Sequence, residues 1–314
     1  MAITKNRQSE ETIMRMAKQA FPDKTVAAIR ELPEGMCNVT YCVTFDDGSE
    51  SILKIASKDR TGNVTNEINM MQAEVTAMKI VGENCSFKVA DVQYYDTSNA
   101  ICDGSYFFME KIPGENYFFV KDKLTEGENA GISMETGKIA RELSQIRNTA
   151  FGFLGDEKRY DTLYEFVWQM LKNLLADAEK RNVDILRDKQ FYMKELEKEK
   201  SAFEEVTASS LVHWDMWDGN IFVKDGHISG IIDWERAMWG EPYMDDRFRA
   251  HNRNPRFLEG FGKTAFDEKE QKRLRWYDII LYLTMCIEVF YREYEDKGQY
   301  FWAREMLEKS INSK

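Results

Sequence analysis

The stretch Leu211-Val212-His213-Trp214-Asp215-Met216-Trp217-Asp218-Gly219-Asn220 ends in a carboxamide, and a further carboxylate, Asp233, lies thirteen positions on. Phosphoryl transfer asks little covalent chemistry of a protein. It needs a carboxylate to orient an attacking hydroxyl, oxygen ligands for magnesium, and positive charge on the phosphates. Asp215 can supply the first. Asn220 and Asp233 can supply the second, because Mg²⁺ prefers oxygen ligands and keeps several waters. Taken singly, each of these side chains reads as an ordinary loop or surface polar. Their order around a strand-turn-strand pattern is what singles them out.

That pattern is the first positioning element. Residues 220–223, the turn Asp225-Gly226 and residues 227–234 read as a hairpin, which folds Asn220 and Asp233 back alongside each other so that both can reach one ion. Upstream, residues 9–20 have helical spacing with Ser9 as N-cap. Val39, Tyr41, Val43 and Phe45 alternate, Asp46-Asp47-Gly48 turns the chain, and Ser51-Ile52-Leu53-Lys54-Ile55 follows, which predicts a hairpin. Residues 65–81 predict a helix, and 87–95 and 105–111 two more strands. This suits an antiparallel sheet with one helix laid on it. After Ile112-Pro113-Gly114 the periodicity is helical over 131–148, 160–180, 186–206, 267–294 and 298–312, interrupted only by the 220–234 hairpin.

The chain has 314 residues, of which 43% are hydrophobic and 13% aromatic, enough for a sizeable interior divided between two lobes. A net charge of −11 argues against nucleic-acid binding and is compatible with a cationic small-molecule partner. The longest weakly charged stretch, 279–289, is too short to span a bilayer, and no membrane association is expected. Residues 1–11 lack the apolar core of a signal peptide. Five cysteines without a CxxC pair read as reduced thiols of a cytoplasmic protein.

HWDMWDGN followed by IIDWE resembles the H-x-D-x-x-x-x-N and I-D-(F/W) motifs of the aminoglycoside phosphotransferase and choline kinase families, and the similarity runs over nearly the whole chain. The resemblance implies an α+β, two-lobed, protein-kinase-like fold: an antiparallel-sheet lobe over residues 1–111 that binds nucleotide, and a mainly helical catalytic lobe over 112–314, with the hinge near 109–115. It implies ATP and Mg²⁺ as cofactors. Lys54, between apolar neighbours on its strand, takes the phosphate-binding role. Of two candidate helix acids, Glu67 and Glu74, the segment Ala73-Glu74-Val75 matches the acid that holds that lysine. Pro33-Glu34-Gly35-Met36-Cys37-Asn38 resembles the family loop whose backbone covers the nucleotide phosphates. The Glu110 carbonyl and the Ile112 amide would meet the adenine edge. Asp215 is the catalytic base, Asn220 and Asp233 the metal ligands, and His213 and Asp245 supports of the loop.

Protein kinases need a long activation segment after the metal-binding aspartate. Here Pro242 stands nine positions beyond Asp233, so no peptide platform fits. The expected substrate is a small hydroxyl compound, an aminoglycoside or other antibiotic first, with a choline-, ethanolamine- or sugar-type metabolic kinase as the alternative and a non-catalytic nucleotide-binding protein as the contrasting class. Acceptors would bind between the catalytic loop and the C-terminal helices, where Asp218, Glu235, Glu288 and Glu295 are candidate acids. Glu288, Tyr291 and Glu295 are predicted to share one helix face. Trp214, Trp217, Trp234 and Trp239 are expected to pack around the loop.

Overall fold

The computed structural model describes residues 5–32, 38–57 and 62–313. Residues 33–37, which make up most of the expected phosphate-covering loop, lie outside them. Five strands, β1 (Val26–Leu32), β2 (Val39–Phe45), β3 (Glu50–Ile55), β4 (Val92–Asp96) and β5 (Tyr106–Glu110), form one antiparallel sheet ordered β1-β2-β3-β5-β4. The β2–β3 turn uses Gly48 at φ 80°, where a side chain would be strained.

Both helices expected in this half cover the sheet, one on each face, whereas the sequence places only the second on it. Helix α1 (Glu10–Ala20) packs Ile13, Met16 and Ala17 on the face that carries Val43, Leu53, Ile55 and Phe108. Helix α2 (Met70–Asn84) packs Met71, Val75 and Met78 against Cys42, Ile52, Phe107 and Met109 on the other. Because both faces are covered, β2 and β3 are buried at nearly every position. The period of two still separates Leu53 and Ile55, on the α1 side, from Ile52 and Lys54 on the α2 side. A lysine is thereby carried into the interior, at 6% exposure.

The second half is mainly helical: α3 (Tyr117–Val120), α4 (Glu126–Leu143), α5 (Leu163–Arg181), α6 (Lys189–Lys198), α7 (Lys200–Phe203), α8 (Pro255–Phe261), α9 (Glu268–Tyr291) and α10 (Gly298–Asn312). The expected hairpin is present as β10 (Ile221–Lys224) and β11 (His227–Ile231), joined by Asp225 and Gly226 at φ 53° and 80°, as a two-residue primed turn requires. A third strand, β6 (Glu115–Asn116), pairs with β10. A small sheet that the sequence does not announce, β7-β9-β12-β8, joins Arg147–Asn148, Ser209–Val212, Met238–Gly240 and Gly152–Phe153. Strands this short are below the length at which alternation can be read.

Two expectations fail in the same region. Helix α2 begins at Met70, not near 65, because residues 64–69 are hydrogen-bonded to the other lobe. The Thr65 N–H and hydroxyl donate to Asp177 (2.6 and 2.7 Å), and Asn66 Nδ2 donates to the Met170 carbonyl (3.1 Å). Asn69, at φ 44°, donates from Nδ2 to the Gly155 carbonyl (3.0 Å). The expected face of Glu288, Tyr291 and Glu295 also fails, since α9 ends at Tyr291 and Glu288 is 5% exposed. Its carboxylate is held by Arg236 (2.8 Å), Arg292 (3.1 Å) and Gln299 (2.7 Å). Glu67 completes this buried network through Arg236 (2.7 Å) and Arg292 (2.6 Å).

Two carboxylates and two guanidinium groups balance one another there. Removing one carboxylate leaves an excess cation out of water, a change that costs about 3–5 kcal/mol in buried pairs. Glu67→Ala is therefore expected to lower the unfolding free energy by that order. Glu259→Ala, which breaks an exposed pair with Arg256, should cost less than about 1 kcal/mol. Urea unfolding of both variants beside the parent chain checks this, and equal losses would contradict it.

Candidate active site

The strand Ser209–Val212 delivers His213 to a fully buried position beneath the loop that follows. Burial pushes the imidazole down to about 4, so the ring is neutral near pH 7. The Asp215 N–H donates to Nδ1 (3.2 Å), so the ring proton sits on Nε2 and is donated to the Ile232 carbonyl (3.0 Å). One ring thus ties the loop to the end of β11. Two non-glycine residues beside it have left-handed backbone, Trp214 at φ 72° and Asp233 at φ 69°. Such conformations cost on the order of 1–3 kcal/mol each and persist where surrounding contacts enforce them. Here the Asp246 N–H holds the Trp214 carbonyl (2.9 Å), and the Ile232 N–H holds that of Asn220 (3.0 Å).

Asn220 donates from Nδ2 to the Asp215 carbonyl (2.7 Å), which leaves Oδ1 as the atom that would ligate a cation. Lys54 joins three elements: Nζ is 2.5 Å from Glu74 on α2 and 2.9 Å from Asp233 beyond β11. Burial works against its charge, but the Asp233 and Glu74 carboxylates overcome it and hold the amine protonated. Of the two helix acids weighed from sequence, Glu74 is the one in contact with Lys54, and Glu67 faces Arg236 and Arg292. One carboxylate oxygen each from Glu74, Asp233 and Glu235 lies within 4.8 Å of the other two. An all-oxygen donor set of this kind fits a hard dication such as Mg²⁺.

Asp215 is half-buried and lies within electrostatic reach of Asp233. Desolvation by its surroundings is the main cause that lifts its carboxyl to about 7; Arg236 opposes this, and Asp233, Asp246 and Glu288 add to it. Asn38, just past residues 33–37, donates from Nδ2 to Glu235 (2.9 Å), so the start of β2 is tied across the cleft to the residue two beyond Asp233. Burial and the adjacent Asp233 raise Glu235 to about 8. This cross-lobe bond, and the position of Arg236 beside Asp215, had no signal in the sequence beyond adjacency to the I-D-W motif.

Asp245 is buried and accepts the Arg247 N–H (3.2 Å). Burial lifts its carboxyl to about 7. Arg247 in turn donates to the Met216 carbonyl (2.6 Å) and to Asp218 (2.8 Å), so Asp245 reaches the loop through Arg247. Asp218 is also paired with Lys121 (2.9 Å), and is not open to an acceptor. At the lobe connection, Glu110 pairs through its side chain with Lys88 (2.5 Å) and its N–H donates to Asp91 (3.0 Å). Ile112 is buried against Gly230, where a Cβ would stand 2.9 Å from its side chain. Trp214, Trp234 and Trp239 are buried packing residues, whereas Trp217 is 38% exposed, contrary to the expectation for all four.

An antiparallel sheet lobe above a mainly helical lobe, with the cleft between them, is the two-lobed protein-kinase-like fold. The sequence profile of the phosphotransferase enzyme family, APH, matches residues 28–272, and the chain belongs to that family. Solved structures resemble it over nearly its whole length. A protein provisionally named fructosamine-3-kinase, from Haemophilus somnus 129PT, is 14% identical, with 96% of this chain and 97% of that one covered and a TM-score of 0.68. The aminoglycoside phosphotransferase APH(4)-Ia, as a thermostable mutant in ternary complex with AMP-PNP and hygromycin B, is 15% identical, with 96% and 97% covered and a TM-score of 0.67. APH(2")-IIa in ternary complex with streptomycin and ATP is 15% identical, with 98% of both chains covered and a TM-score of 0.60. No curated protein sequence matches. Among the described residues, no helix is long and apolar enough to cross a membrane.

Proposed function

We propose that this chain transfers the γ-phosphoryl group of ATP, with Mg²⁺, to a hydroxyl of a small molecule. The observation that carries the reading is the Lys54 ammonium, buried in the cleft and shared between Glu74 at 2.5 Å and Asp233 at 2.9 Å. A protonated amine held in the cleft by two carboxylates is in place to supply positive charge to nucleotide phosphates. In this reading residues 1–111 bind the nucleotide and 112–314 carry catalysis and the acceptor. The Glu110 carbonyl and the Ile112 amide meet the adenine edge, and Asn38 ends the loop over the phosphates. Asn220 and Asp233 hold the metal, and Asp215 orients the acceptor hydroxyl and takes its proton. Bound Mg²⁺ offsets the negative charge of the phosphates. His213 and Asp245 fix the loop on which Asp215 stands.

The acceptor class that the likeness to APH(4)-Ia and APH(2")-IIa supports is an aminoglycoside or related antibiotic. The likeness to a fructosamine-3-kinase supports a sugar-type metabolite instead. ATP turnover in the presence of hygromycin B, streptomycin, a fructosamine, choline and simple sugars separates them. For the shared chemistry, Lys54→Ala is expected to lower kcat/KM for ATP by about 10²-fold or more, since it removes a preorganised charge from the phosphates, with an unchanged circular dichroism spectrum. Full activity in that variant with the best acceptor would remove the role given to Lys54.

A further inference from the structure

Among the described residues six large apolar side chains are exposed, and three of them are joined through Phe118, which meets both Phe119 and Trp217. Ring centroids are 5.4 Å apart for Phe118–Phe119 and 5.3 Å for Phe118–Trp217. Their position relates them to the chemistry. Trp217 stands two residues after Asp215, at most about 7 Å along an extended chain. Its ring is folded back on the loop, so that a Cβ on Gly219 would meet it at 2.2 Å, and only glycine at 219 admits this placement. Phe118 and Phe119 follow β6, whose Asn116 donates from Nδ2 to the Gly219 carbonyl (2.5 Å). Lys121 spans the two segments, 2.9 Å from Asp218 and 5.1 Å above the Phe118 ring. The three rings therefore form a fixed surface between the lobe connection and the loop of Asp215.

Two of the acids that could compete for an acceptor are committed to ion pairs. Asp218 is held by Lys121 and Arg247, and Glu288 by Arg236 and Arg292. Near the loop of Asp215, the large apolar side chains open to solvent are these three rings. We propose that Phe118, Phe119 and Trp217 form a platform for the non-reacting part of the acceptor, and that they select acceptors carrying an apolar or aromatic ring beside the reacting hydroxyl. This rests on the phosphotransferase reading above and adds to it the chemical class of the acceptor.

Phenyl and methyl β-glucosides share their hydroxyls and differ in the ring. Titrated into the chain loaded with Mg²⁺ and AMP-PNP, and followed by ligand-observed NMR, the phenyl compound is expected to bind about tenfold more tightly, as ring stacking allows. In Phe118→Ala/Phe119→Ala the ratio should fall to near one. Should the double variant not fold, Phe119→Ala alone, at a residue 61% exposed, carries the test. A ratio near one in the parent chain, an unchanged ratio in the variant, or tighter binding of choline than of the phenyl compound each overturns the platform. Binding of AMP-PNP with and without Mg²⁺ is measured in parallel by calorimetry. Absence of magnesium-dependent nucleotide binding by the parent chain counts against the phosphotransferase reading, whereas its presence with no ring preference counts against the platform alone.

Discussion

Asp215→Asn is expected to lower turnover by about 10²–10⁴-fold, the range that general-base assistance supplies, while MgATP binds almost as before. The amide keeps the shape of the carboxylate but cannot accept the proton of an acceptor hydroxyl. In the proposed reading nucleotide binding, by contrast, rests on the sheet lobe, on Lys54 and on Asn220 and Asp233. The loop itself survives the change, because its fixed contacts run through the Asp215 backbone: the N–H to His213 and the carbonyl to Asn220. Calorimetric titration of MgATP beside single-turnover rates measures both halves. Lost nucleotide binding with an intact rate per bound complex would assign Asp215 to the metal instead.

Asp233→Asn should produce the opposite division, with ATP turnover falling to background and no longer responding to magnesium. Asparagine tolerates the left-handed backbone that Asp233 adopts at φ 69°, so the substitution tests charge and not fold. Lys54 keeps Glu74 as a partner, and the oxygen cluster loses one of the three negative charges that would hold a dication. ATP turnover as a function of magnesium concentration reads the result. A parent-like magnesium dependence in Asp233→Asn would withdraw the metal role from this residue.

The residues grouped in the cleft were legible to different degrees, for a physical reason. His213, Asp215, Asn220 and Asp233 lie within twenty-one positions, and a hairpin with a recognisable Asp-Gly turn folds that stretch on itself. Local chain geometry is enough to bring them together. Lys54 was legible because the family resemblance calls for a lysine on this strand and its apolar neighbours mark it as the candidate. Glu67, Arg236, Glu288 and Arg292 were not legible as a group: no local periodicity joins residues that meet only after the whole helical half has folded. Glu288 looked like an open acid on a helix face, since helical spacing says which side a residue is on and not what covers it. The start of α2 was misjudged for the same reason. Residues 65–69 have helical spacing, yet their polar groups find partners on α5 and at Gly155.

The anchoring of residues 64–69 to the helical half also bears on how the chain becomes a folded protein. Glu67 and its partner Arg292 are 225 positions apart. During synthesis the first lobe can pair its strands as soon as they emerge, but the segment that leads into α2 finds its partners on α5 only later, and Glu67 meets Arg292 only after α9 has left the ribosome. The lobes therefore do not behave as a finished domain followed by a second one. Long-range contacts of this kind slow assembly in general, and both lobes are expected to unfold as one unit, since opening either alone would expose charged groups that the other satisfies.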